Sequence, residues 1–199
     1  MKKLVVLVFG IMLVFPMVVN AAFSDVAENH WAYPYITELS EKGIINGMTK
    51  DTYVPSGTLT KGQYIKLIIS ASLPNFDFSK IESDFNHWAA PYVKIAENYG
   101  VIEKGEINSS NIDEPITRID VVRILSMSDI AIRNAVQITF LNLEDYFTDT
   151  GSLNDLERYT LIHALGLEII NGYEDGTFRP QNNLTRAEAS KILSLYMKR

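Results

Sequence analysis

The sequence contains no cysteine. No disulfide braces this chain, and a lipid anchor on cysteine is excluded. Such a chain rests on its apolar core. Basic residues are also in deficit, with 18 Lys and Arg against 24 Asp and Glu and a net charge of −6. That balance argues against a nucleic-acid partner. Any anionic ligand must then be held by local donors, against the mean field. Histidine is scarce: His30, His87 and His163 are the only three. Their spacing matches no zinc site, and neither a metal nor a cofactor is expected. The sequence has no Gly-x-Ser-x-Gly and no His-Glu-x-x-His. With no cysteine nucleophile either, it reads as a non-enzyme. Paired acids can cleave sugars, but no acid pair here stands apart from turns and caps. The acidic loop Tyr173 to Thr177 is too short for an EF-hand and reads as a plain turn.

A run of apolar residues long enough to span a bilayer is missing too. Lys2 and Lys3 precede a low-polarity stretch of 16 residues, Leu4 to Val19, with Pro16 near its end. A spanning helix needs roughly 20. Small residues follow at Ala21 and Ala22. The order reads as a secretory signal peptide, residues 1–21. Its removal takes away two lysines and no acid, leaving 16 basic against 24 acidic side chains, a net −8. The chain is expected to be exported, with no membrane contact after cleavage. Its length of 199 residues allows one compact domain or two small ones, and an apolar fraction of 47% supplies a core.

What is abundant is self-similarity. His30-Trp31-Ala32-Tyr33-Pro34-Tyr35 returns as His87-Trp88-Ala89-Ala90-Pro91-Tyr92, an offset of 57. Gly43-Ile44-Ile45 returns as Gly100-Val101-Ile102, and Leu59-Thr60-Lys61 as Ile116-Thr117-Arg118, at the same offset. A third copy lies 125 residues from the first: Ile44-Ile45-Asn46-Gly47 matches Ile169-Ile170-Asn171-Gly172, and Leu59-Thr60 matches Leu184-Thr185. The third copy lacks the His-Trp pair and has Asp155-Leu156 there. The chain divides into a first repeat at 22–74, a linker at 75–80, a second repeat at 81–134 and a third at 135–199.

Each copy reads as helix, loop, helix. The first helix starts near the proline of the WAxPY run, where proline suits the first turn. Its apolar positions are Ile36 and Leu39, then Val93 and Ala96, then Leu161 and Ala164. Gly43 and Gly100 suit a helix stop. The second helix starts after the threonine. Its apolar face is Tyr64, Leu67, Ile68 and Ala71; Val121, Ile124 and Leu125; Ala189, Ile192 and Leu193. Spacings of three and four are helical. The fold class is all-α, and units this small must pack on one another.

Phe23-Ser24-Asp25-Val26, the His-Trp-Ala triplet, Gly43 to Gly47, Asn171 to Pro180 and Leu184-Thr185-Arg186-Ala187-Glu188 resemble the S-layer-homology repeat. The likeness covers about residues 23 to 199, and the second copy diverges most. It implies a pseudo-threefold helical bundle with grooves between neighbouring repeats. It implies that the grooves bind peptidoglycan-linked secondary cell-wall polysaccharide, commonly carrying pyruvate ketals.

Each candidate residue also has a structural reading. Thr185-x-x-Glu188 is a capping box, Thr60-x-x-Gln63 a variant and Thr117-x-x-Asp120 a shorter, weaker one. Capping is the preferred role for Thr and acid. Arg118 and Arg186 are not needed for a cap, and the helix dipole disfavours a cation there. They make sense if an anion sits on exposed first-turn amides; the alternative is a bridge to a neighbouring repeat. Lys61 supplies charge without the planar fork. Trp31 and Trp88 either anchor helices in the core or stack on sugar rings, and the buried role is preferred. Asp25 and Asp149 either cap the first helix or accept sugar hydroxyls, and capping is preferred. Gly43 and Gly100 either end a helix or leave room for a sugar. His30 and His87, in register, read as equivalent caps beside tryptophan.

The leading functional expectation is non-covalent attachment to wall polysaccharide. The alternatives are a surface-layer or protein-interaction component with drifted repeats, and a wall-remodelling enzyme. Lys61, the missing His-Trp pair and the altered Glu103-Lys104-Gly105 segment favour drift.

Overall fold

The computed structural model describes residues 23–135 and 141–199. The signal-peptide expectation falls outside them. Among the described residues there are six α-helices and no strand. They are α1 (Tyr33–Glu41), α2 (Lys61–Ser72), α3 (Ala90–Asn98), α4 (Arg118–Ala131), α5 (Asp155–Gly166) and α6 (Arg186–Met197). Short 3-10 turns cover Phe78–Lys80, within the segment read as a linker, and Leu143–Asp145.

The helix starts follow from local chemistry. α1 and α3 each carry proline in the first turn. α5 has no proline; Asn154 and Glu157 form a full capping box instead. α2 and α6 begin with full boxes on Thr60 and Thr185. Thr117 of α4 takes the Asp120 amide, but the shorter acid does not reach back to the cap amide. All three threonines share one extended geometry, with ψ between 158° and 161°.

The first helices stop alike. Gly43 and Gly100 have φ of 67° and 70°, a region that costs other residues. Nothing lies within 4 Å of where a side chain would begin at either, so the backbone angle is what requires glycine. The third copy has Glu168 there, at φ 57°. Glu168→Gly should raise the unfolding free energy by roughly 1 kcal/mol, set by the left-handed penalty less the entropy glycine loses. Urea denaturation would read it; a destabilised variant would refute the strain.

The repeats join as a closed ring. α2 packs on α3, α4 on α5, and α6 returns to α1. Each second helix therefore lies on the first helix of the next repeat. The pseudo-threefold axis is marked by backbone bonds. The Leu59 amide donates to the Leu184 carbonyl at 3.1 Å, Leu184 to Ile116 at 3.0 Å, and Ile116 back to Leu59 at 3.0 Å. All three side chains are buried. The aliphatic-Thr pair shared by the copies is thus the hub.

Polar groups buried around this hub join neighbouring repeats. The Tyr64 hydroxyl donates to the Val121 carbonyl at 3.0 Å, and burial holds its pKa well above the usual range. His163 Nε2 lies 3.3 Å from Asp129 Oδ2, across α5 and α4.

Closure of the ring is tied by Glu38 of α1. It bonds Lys42 on its own helix, and Lys198 and Ser194 near the end of the third repeat. Lys42 first, then Lys198 and Ser194, pull its pKa from 4.5 down to about 2. A depressed carboxylate stabilises the fold above its unfolded value, and the contribution fades as pH falls through the folded one. Stability should therefore decline from about pH 4.5 towards 2. Glu38→Gln should flatten that decline in urea titrations at stepped pH, and an unchanged slope would rule out this tie.

Candidate functional site

Two symmetry-related grooves open between repeats. The first holds about 200 Å³. Trp31 of the first repeat, Arg118 of the second, and Ile169 to Tyr173 with Glu188 and Lys191 of the third line it. The second holds about 190 Å³. There Trp88, Arg186, Ile44 to Met48, Gln63 and Lys66 take the matching places. Every groove thus draws on all three repeats.

The tryptophans are not core anchors. Trp31 and Trp88 are each 53% exposed. The expectation of burial is corrected by their place on the turn before the first helix. There the following alanines, Ala32 and Ala89, enter the core instead. His30 and His87 accept the Ala32 and Ala89 amides, both at 3.1 Å, and lie beside the indoles. The two histidines are therefore turn-binding side chains, as their shared register suggested.

Asp25 and Asp149 do not cap a first helix. The cap of α1 is Ala32, with no side-chain bond, and that of α5 is Asn154. Asp25 instead accepts the Tyr53 and Val54 amides at 2.8 and 2.7 Å. Asp149 accepts those of Phe178 and Arg179, both at 2.8 Å. Val54 and Arg179 are in the left-handed region, with φ of 59° and 57°. Each carboxylate offsets the strain of a loop some thirty residues away. At Asp25 burial pushes the pKa up, but the Tyr53 and Val54 amides carry it below the usual value.

The first-turn amides of the second helices are not exposed to a ligand. Arg118 and Ile119 donate theirs to the Asn182 and Pro180 carbonyls. Arg186 and Ala187 donate to Gly57 and Pro55, and Lys61 and Gly62 to Glu114 and Ile112. An anion seated on those amides is therefore excluded: a neighbouring repeat's loop already fills each helix start.

The arginine side chains follow the same rule. Arg118 is 4% exposed. Its Nε donates to the Phe178 carbonyl at 3.0 Å, Nη2 to that of Asn171 at 3.3 Å, and Nη1 to Glu188 at 3.0 Å. Arg186 donates to the Tyr53 and Asn46 carbonyls, both at 2.8 Å. The guanidiniums lie over the Tyr173, Phe178 and Tyr53 rings. These are the bridges to a neighbouring repeat, and each forms the floor of a groove. Lys61 bonds Glu114 of the second repeat at 2.8 Å.

Sequence reasoning missed Lys66 and Lys191, one in each groove. Lys66 lies over the Trp88 ring at 5.7 Å. Neither lysine has a carboxylate partner among the described residues. Their signal was present: both stand six residues after the capping threonine.

The third junction departs from this pattern. Leu156 and Lys61 stand where the grooves have Trp and Arg, and Glu103-Lys104 replaces Asn-Gly. Arg123, at the lysine position, pairs with Glu106 and Asp120. Gly43 borders a further hollow of about 280 Å³ that shares Ile44, Asn46, Lys66 and Leu67 with the second groove.

The family model of the S-layer homology domain matches residues 22–65 and 161–190, in the first and third repeats. An amylopullulanase of Thermoanaerobacterium thermosulfurigenes is 31% identical over 183 residues, 87% of this chain and 9% of that protein. The 125 kDa surface-layer protein of Lysinibacillus sphaericus is 27% identical over 183 residues, 86% of this chain and 15% of that protein. An S-layer protein of Bacillus licheniformis is 26% identical over 182 residues, 87% of this chain and 20% of that protein. The chain therefore spans a fifth or less of these relatives. The matched domain is an anchoring module, and the protein is associated with the cell surface or wall.

Proposed function

We propose, for a chain that carries S-layer homology repeats, that it holds non-covalently to the bacterial cell wall by binding secondary wall polysaccharide in the two inter-repeat grooves. The observation that carries this reading is the exposed tryptophan beside an unpaired lysine, repeated in register at Trp31 with Lys191 and at Trp88 with Lys66. A half-exposed indole costs solubility and gains nothing for the core. It suits the apolar face of a sugar ring. The lysine supplies a mobile cation for a ring substituent such as a pyruvate carboxylate. The guanidiniums beneath are held by backbone carbonyls, and at Arg118 by Glu188 as well, so they shape the groove floor.

Two such grooves on one body act together. A polymer with repeated units engages both, and the second contact is intramolecular. Modest single-site affinity then gives firm attachment.

The test is co-sedimentation with purified, protein-free walls, before and after the secondary polymer is extracted. Binding that disappears on extraction is the expected result. Equal sedimentation with both, or with neither, overturns the polysaccharide reading and points to a protein partner.

A further inference from the structure

We infer that the two grooves are chemically distinct: the Trp88 groove selects an acidic sugar, and the Trp31 groove takes acidic and neutral sugars nearly alike. The inference rests on the wall-polysaccharide reading and concerns which residue of the polymer each groove takes.

The difference lies at one register position. Three residues after the capping threonine, the Trp31 groove has Glu188 and the Trp88 groove has Gln63. Both serve the cap, so both helices start alike. Only one brings a charge. Glu188 Oε1 accepts from Arg118 at 3.0 Å and from the Tyr173 hydroxyl at 3.0 Å. The guanidinium of that groove is therefore neutralised by a carboxylate lining the same space. Among the described residues lining this groove, Lys191 is left as the one uncompensated charge.

Among the described residues, none that lines the Trp88 groove is acidic. Arg186 bonds only carbonyls and spreads its charge over the Tyr53 ring. The nearby acid is Asp25, whose oxygens are held by the Tyr53 and Val54 amides on the loop side. Asp149 holds the matching amides in the other repeat, so that term is common to both grooves. Among the residues that line the two grooves the contrast is one negative charge, present beside Trp31 and absent beside Trp88. Met48 also replaces Tyr173, removing the hydroxyl that donates to Glu188 in the other groove. Lys66 stands where the Trp88 groove meets the adjoining hollow, within reach of a substituent from either side.

Each groove has its own reporter, because the chain has only two tryptophans. The two indole N–H resonances of the ¹⁵N-labelled protein can be followed during titration with methyl glucuronide or methyl glucoside, probes that differ in charge on one ring. The Trp88 signal is expected to respond to the glucuronide at about ten-fold lower concentration than to the glucoside, the preference shrinking with added salt. The Trp31 signal should respond to both sugars within about two-fold. Gln63→Glu should erase the Trp88 preference, and Glu188→Gln should confer one on Trp31. Lys66→Gln, on an exposed helix face, should weaken only the glucuronide response at Trp88. Equal preference at both indoles would overturn the inference and leave wall binding intact. So would two silent indoles in a protein that still sediments with walls. Loss of sedimentation itself would fault the underlying reading instead.

Discussion

Arg118→Ala is expected to lower the unfolding free energy by about 3–5 kcal/mol, the range for breaking a buried, hydrogen-bonded ion pair. The side chain is 4% exposed and serves two carbonyls and one carboxylate of the third repeat. Removing it strands all three, and Glu188 keeps a charge without its partner. Lysine cannot restore the fork, so Arg118→Lys should recover only part of the loss. Arg186→Ala breaks two bonds to carbonyls at a half-buried site and strands no carboxylate. Its cost should be smaller, about 1–3 kcal/mol. Urea denaturation followed by circular dichroism would compare the three. Equal, small shifts for Arg118→Ala and Arg186→Ala would show that the guanidinium does not hold the repeats together. The comparison also sets a condition on binding work: loss of wall attachment in an Arg118 variant means nothing unless its fold is shown to survive.

Trp31→Ala combined with Trp88→Ala should have the opposite profile. Wall affinity should fall by about two orders of magnitude, from two lost stacking contacts and the lost intramolecular second contact. Stability should change by no more than about 1 kcal/mol, because both indoles are 53% exposed and leave no cavity. Sedimentation isotherms on intact walls, beside urea curves, separate the two quantities. Each single variant should lose about ten-fold. A double variant that binds like the parent would remove the tryptophans from the ligand site. One that unfolds would restore them to a structural role.

The features readable in the sequence were those whose partners lie within one turn of helix. The proline starts of α1 and α3, the boxes at Thr60 and Thr185, the weaker cap at Thr117 and the glycine stops all work over three or four residues. A single chain displays such spacings directly. The all-α class and the repeated helix-loop-helix plan followed from them. What stayed hidden depended on distant partners. Asp25 looked like a cap because a cap is its nearest use; its real partners are 28 and 29 residues away. The amides at Arg118 and Arg186 looked free because the carbonyls that fill them come from other parts of the chain. Trp31 and Trp88 looked like anchors because tryptophan usually is one, and pattern alone cannot say which face of a turn looks outward. Local pattern marks Lys66 and Lys191 only by their shared register, since the ring of repeats is what brings each beside a tryptophan from the next copy.

The bonds that run from Leu59 to Leu184 to Ile116 and back have a consequence for how such a protein can vary. A stack of repeats can gain a member at either end, but a circle of three cannot. Each copy offers one donor and one acceptor to the hub, and all are spent. A fourth copy would have to break the circle or begin another, so copy number should change in threes. A circle also has no privileged first member. Joining the end of α6 to the start of the first repeat, and opening the chain at the 75–80 segment, preserves every contact at the hub. Gene rearrangements that rotate the order of the copies are therefore tolerable to this architecture, whereas deletion of one copy removes a side from both grooves at once.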